Sequence, residues 1–118
     1  MSALQVKRGE VYYVGLDPVV GNETGKTRPV LIIQNDIGNA YSPTTIVAVI
    51  TEYSEKKASY PICVPAGIEE GLKKPSIVNL SQVRTIDKRR LVCPAIASLS
   101  DSVMAQVDKA LKYSLSLA

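Results

Sequence analysis

The 118-residue chain contains no histidine and no tryptophan, and it has only two cysteines. Without histidine, neither Ser-His nor Cys-His nucleophilic chemistry can be assembled, and the commonest general base is missing. Cys63 and Cys93 lie far apart with no C-x-x-C spacing, so zinc lacks its usual ligands and no disulfide is expected; both thiols are expected to be buried within strands. No apolar stretch approaches the ~20 residues needed to span a bilayer, and no basic-plus-apolar leader opens the chain. The protein is therefore expected to be soluble and cytoplasmic. Charge of either sign is modest: 14 Lys and Arg against 11 Asp and Glu leave a net +3, too little to prove a polyanion partner.

What is present points to one compact domain over residues 1–118, with 46% hydrophobic residues, enough to bury roughly two-thirds of the unfolded surface. Residues 30–33 (Val-Leu-Ile-Ile) form an unbroken apolar run between Pro29 and Asn35-Asp36, which reads as a central strand covered on both faces. Pro29 restricts the residue before it, so Arg28 is held in a defined backbone state where that strand begins. A second run, residues 46–50, ends at Thr51. If the two runs pair antiparallel, Arg28 and Thr51 meet at one rim; a parallel pair would put Arg28 near Ile46 instead.

Further strands are expected over residues 10–14, 60–64, 76–80, 82–87 and 91–97, with a bend near Ser81 and an edge position for the Pro61-bearing piece. Residues 36–41 could make one helical turn, and residues 52–57 read as an exposed loop. Ser100 is expected to cap a C-terminal helix whose stripe is Val103, Val107, Ala110, Leu111 and Leu115. The polar, glycine-bearing segment 19–27 is either a substrate-covering loop or a plain connection; its glycines lack phosphate-loop spacing. Cations pair at Lys7-Arg8, Lys56-Lys57, Lys73-Lys74 and Lys88-Arg89-Arg90, and form a patch only if the fold gathers them.

Six blocks in this order, Lys7-Arg8-Gly9-Glu10-Val11-Tyr12, Leu16-Asp17-Pro18, Gly21-Asn22-Glu23, Thr27-Arg28-Pro29-Val30-Leu31-Ile32, Ile46-Val47-Ala48-Val49-Ile50-Thr51 and Gln82-Val83-Arg84-Thr85-Ile86-Asp87-Lys88, resemble the MazF/PemK toxin family, most closely its Gram-positive MazF members. The resemblance implies a mainly β fold, a compact SH3-like or CcdB-like small barrel of strongly bent antiparallel strands with a C-terminal helix. It implies a homodimeric, metal-independent, cofactor-free, sequence-specific endoribonuclease that cuts single-stranded mRNA, leaving a 5′-hydroxyl and a 2′,3′-cyclic or 3′-phosphate. It also implies neutralisation by a MazE-like antitoxin with an acidic C-terminal segment.

Carried over residue by residue, Arg28 and Thr51 match the family's catalytic pair. Gly21, Asn22, Glu23, Thr24 and Lys26 fall in the loop that closes over RNA, Ser81 and Gln82 where bases are contacted, and Lys7 and Lys56 are further RNA-binding cations. The PemK/Kid branch uses histidine, arginine and aspartate where this chain has Asn22, Asn79 and Ser81, so that branch's acid-base scheme cannot operate here. The general base stays open between Glu23, Thr51 and water. Read without the resemblance, Arg28 could instead be a surface arginine paired with Asp17 or Asp87. Two other functions compete with catalysis: a non-catalytic RNA-binding barrel, and a CcdB-like toxin that grips a protein target. The latter acts through a tryptophan-containing tail, which this chain lacks.

Overall fold

The computed structural model describes residues 5–16, 20–22 and 26–117. Among these, six strands, β1 (Glu10–Gly15), β2 (Thr27–Ile32), β3 (Thr44–Glu52), β4 (Cys63–Ala66), β5 (Ser76–Asp87) and β6 (Leu91–Ser98), alternate with helices α1 (Asp36–Tyr41), α2 (Glu55–Ala58) and α3 (Asp101–Ser114). The strands form one antiparallel sheet in the order β4-β5-β3-β2-β1-β6.

The sheet is mainly β as expected, but it is open rather than a closed barrel, because β4 and β6 lie at opposite ends and each pairs with one neighbour. Both end strands carry a proline, Pro65 and Pro94, which has no N–H to extend a ladder. Strong bending is nonetheless present. Between Ala48 and Val49 of β3 the partner on β5 jumps from Val83 to Asn79, so β5 bulges at residues 80–82, where the sequence placed its bend.

Two core clusters lie on the two faces. Leu31, Ala48, Ile50, Val78 and Leu80 pack with Met104, Val107 and Ala110 of α3; Tyr12, Val14, Val30, Ile32, Val47 and Val49 fill the other side of the curled sheet with Val6 and Leu91. Strand β2 is therefore covered on both faces, which its continuous apolar run requires. Ser100 caps α3 by accepting from the Val103 N–H at 3.2 Å. The buried stripe is Met104, Val107 and Ala110, with Val103 and Leu111 at its margin. Leu115 is exposed because the helix ends at Ser114.

Three further expectations change. Residues 55–58 are helical, since Ser54 accepts from the Lys57 N–H at 3.1 Å and caps a turn that the polar composition concealed. The proline-bearing edge strand begins only at Cys63, after a turn in which the Cys63 N–H donates to the Tyr60 carbonyl. Cys63 is buried, but Cys93 is exposed, because β6 turns its middle outward at the sheet end.

Candidate functional site

Strand register decides where Arg28 lies. The β2–β3 ladder pairs Val30 with Val49, Leu31 with Ala48 and Ile32 with Val47, an antiparallel arrangement. Continued two residues outward, the same register sets Arg28 opposite Thr51, and strand alternation gives both the face of Val30 and Val49. The ladder stops short of that pair because Pro29 cannot donate. Arg28 and Thr51 are both half-buried, and both line one cleft of about 390 Å³. Consecutive residues of each strand line this cleft, Thr27 to Pro29 and Ile50 to Glu52, so it runs over the strand ends rather than along a single face.

The cleft collects charge from elements distant in the chain. From α2, Lys57 Nζ donates to Thr51 Oγ1 at 3.4 Å. Lys74 Nζ bonds Glu52 Oε1 at 2.6 Å, and Lys73 Nζ stands 5.9 Å from the centroid of the Tyr13 ring. The Lys74 hydrogen bond, followed by its charge and then by Arg28 and Lys57, holds the Glu52 carboxyl below the usual carboxylate range. Among the described residues, the cleft brings one carboxylate, Glu52, together with Arg28, Lys73 and Lys74, with Lys57 beside them on Thr51, and this balance favours an anion.

The alternative partners of Arg28 fare differently. Asp87 receives Arg89 through Nε at 3.1 Å and Nη2 at 3.0 Å, and this pair holds its carboxyl low. Asp87 also lies opposite Thr44, at the far end of β3 and roughly 23 Å along the strand from Thr51, so it is no partner for Arg28. Asp17 lies outside the described residues.

Of the expected RNA loop, Gly21 and Asn22 are exposed, and Glu23 and Thr24 lie outside the described residues. Gly21 takes φ +58°, a left-handed conformation suited to glycine. Lys26 also has positive φ, and its carbonyl accepts from the Leu16 N–H at 2.8 Å, closing the stem of the loop. That stem is braced from behind: Arg84 Nη1 donates to the Leu16 carbonyl at 3.1 Å, and Arg90 Nη2 donates to the Gly15 carbonyl. Arg84 is thus a structural clamp on the loop.

Ser81 and Gln82 sit at the β5 bulge, outside the cleft, with Ser81 bonded through its N–H and Oγ to Asn79 Oδ1. Thr51 faces Ile77, so Ser81 lies up to ~13 Å further along β5. Lys7 lies near Asp36, beside the opposite end of β2 from Arg28, and Lys56 is exposed on α2. Sequence reasoning missed Tyr13, Glu52, Lys73 and Lys74 as cleft residues, and Lys57 as the partner of Thr51. The lysine doublets were visible, but not which member turns toward Thr51.

A family model described as "PemK-like, MazF-like toxin of type II toxin-antitoxin system" matches residues 7–115. Endoribonuclease EndoA of Bacillus subtilis (strain 168) is 51% identical over 113 residues, covering 95% of this chain and 96% of that protein. Endoribonuclease MazF of Staphylococcus epidermidis is 49% identical over 113 residues, covering 95% and 92%. Among solved structures, MazF from Deinococcus radiodurans superposes with a TM-score of 0.80 over 97% of this chain and 99% of its own, at 21% identity. With the family model matched over nearly the whole chain and relatives at about half identity, the chain belongs to the PemK-like, MazF-like family of type II toxins.

Proposed function

We propose that this protein is a sequence-specific, metal-independent endoribonuclease toxin that cuts single-stranded mRNA. The 2′-hydroxyl attacks the adjacent phosphorus while the bond from phosphorus to the 5′-oxygen breaks. The 2′-proton passes to a base, the leaving oxygen takes a proton, and the ends are a 2′,3′-cyclic phosphate, which can open to a 3′-phosphate, and a 5′-hydroxyl. The observation that carries this reading is the register that sets Arg28 across from Thr51 in one cation-rich cleft.

In this scheme the planar Arg28 guanidinium stabilises charge on the phosphoryl oxygens through two parallel hydrogen bonds, and Thr51 donates a third. An ammonium can only donate, so the oxygen of Thr51 accepts from Lys57 and its own proton is directed elsewhere. This supports Thr51 as a donor and argues against it as the base. Glu23 and water stay as the candidates for that role, since arginine holds its proton. Gly21, Asn22, Glu23, Thr24 and Lys26 would close over the strand, Ser81 and Gln82 would read bases beyond the cleft, and Lys7 and Lys56 would hold more distant phosphates.

By family membership the protein acts as a homodimer and is neutralised by a MazE-like antitoxin whose acidic C-terminal segment competes for the same cations. No helix among the described residues is long and apolar enough to cross a membrane, and a cytoplasmic site of action follows from the mRNA substrate. Incubation of the purified protein with a long single-stranded RNA in EDTA, with Arg28→Ala as control, tests the reading. Discrete cuts bearing 5′-hydroxyl ends are expected from the wild type alone; intact RNA, or equal cutting by the variant, would refute it.

A further inference from the structure

We propose that Tyr13, Lys73 and Lys74 form a nucleotide subsite next to the scissile phosphate, in which a base flanking the cleaved bond stacks on the Tyr13 ring. The inference rests on the assignment of Arg28 and Thr51 above and extends it to the neighbouring nucleotide.

The cleft that holds Arg28 and Thr51 is more than a phosphate site. Its apolar lining comes from Tyr13, Pro29 and Ile50, and its cations Lys73 and Lys74 stand apart from the Arg28–Thr51 rim in the chain. A phosphate needs only the cations; an apolar floor beside them suits a flat, weakly polar ring attached to that phosphate. Tyr13 is half-buried in β1, paired with Pro29 of β2, so its ring is anchored at the backbone one residue away from Arg28.

Both lysines are held in ways that a nucleotide can replace. Lys73 covers the Tyr13 ring at 5.9 Å, a cation-π contact at an exposed side chain, weaker than the stacking of a base on an aromatic ring. An incoming base therefore wins the exchange and leaves the Lys73 ammonium free to meet the backbone phosphate. Lys74 is tied to Glu52 in a pair whose side chains are 61% and 72% exposed, the kind of surface pair that contributes little. Before RNA arrives, these contacts keep both flexible lysines folded against the cleft. Because every base has a π-face, the subsite positions the strand for in-line attack and leaves the choice of sequence to other residues.

A substrate–protein double cycle tests this. The ligand is a short single-stranded RNA carrying the mapped cleavage sequence, made uncleavable by a 2′-deoxy sugar at the scissile position, in versions with one abasic nucleotide at each position in turn. Affinities are read by fluorescence anisotropy for the wild type, Tyr13→Ala and Tyr13→Phe. Tyr13→Ala is expected to weaken binding about 10-fold while Tyr13→Phe, which keeps the ring, binds as the wild type does. One abasic position flanking the scissile bond should weaken wild-type binding by the same factor and have no effect in Tyr13→Ala. Losses that multiply at every position, or a Tyr13→Ala variant that binds normally, overturn the subsite. Transcripts that are cut while the cycle multiplies overturn the subsite alone, whereas transcripts left intact by the wild type overturn the catalytic assignment and the subsite with it.

Discussion

Thr51→Val is the substitution whose consequence the structure specifies most fully. Valine keeps the β-branched shape that a strand end favours and removes only the hydroxyl. Thr51 is half-buried and its hydroxyl oxygen accepts a long 3.4 Å bond from Lys57, so stability should change by less than about 1 kcal/mol. The cost falls on catalysis, where loss of one preorganised donor to a developing oxyanion lowers kcat ~10²-fold to 10³-fold. Lys57→Met keeps an unbranched side chain of similar length on α2 and removes the charge that occupies the threonine oxygen. A charge-assisted bond contributes about 1.5–3 kcal/mol, and at this length the lower end applies, so kcat should fall ~10-fold. If Lys57 works through Thr51, adding Lys57→Met to Thr51→Val costs nothing further. Single-turnover cleavage of a fluorogenic oligonucleotide, at substrate concentrations that separate kcat from KM, reads all four corners of the cycle. Losses that multiply would show that Lys57 contacts the RNA itself, and the donor arrangement argued here would be wrong.

Two stability measurements check the scaffold beneath the site. Leu31 is fully buried in β2 against the α3-side core, so Leu31→Ala should lower the free energy of unfolding by about 2.7–5.0 kcal/mol in urea titrations; a loss below ~1 kcal/mol would contradict the two-sided burial of this strand. The Tyr12 hydroxyl donates to Glu10 Oε1 at 3.1 Å, and burial, then that bond, then the Glu10 charge push its pKa up to about 12. Between pH ~10 and 12 the folded chain keeps a proton that the unfolded chain has released, so this contribution is complete below pH ~10 and is lost as pH rises through that window. Tyr12→Phe should remove that part of the alkaline slope, read from urea unfolding at pH ~9 and ~11; an unchanged slope in the variant would assign it to other groups.

The fold was largely legible where a residue's own chemistry fixes its surroundings. An uninterrupted branched run at Val30, Leu31 and Ile32 has no polar face to expose, so a strand buried on both sides was the one consistent reading. The Ser100 cap and the bend near Ser81 were local signals of the same kind. Sheet closure was not legible, because whether β4 meets β6 depends on accumulated bend and twist that no single residue encodes. Met104 entered the helix stripe, and Leu115 left it, because the phase of α3 is set by what it packs on. Helix α2 was hidden by a charged composition that looks like a loop until Ser54 is seen capping Lys57.

For the site, the sequence favoured an antiparallel pairing of β2 and β3 but left a parallel one open, and the register is antiparallel. The cations that complete the cleft arrive from α2 and from the segment before β5, so their convergence is a tertiary property. Lys73 and Lys74 could be read only as a doublet. Cys93 shows the converse, since an apolar-looking strand at a sheet end turns its residues out once it has no second neighbour.

A crystal structure of the protein with an RNA whose scissile sugar lacks its 2′-hydroxyl would interrogate the heart of this account. The Arg28 guanidinium and Thr51 Oγ1 should both lie within ~3.2 Å of oxygens on one phosphate, the one whose ester bond is cut in the ribose form. A phosphate held elsewhere, or the two side chains engaging different nucleotides, would contradict it.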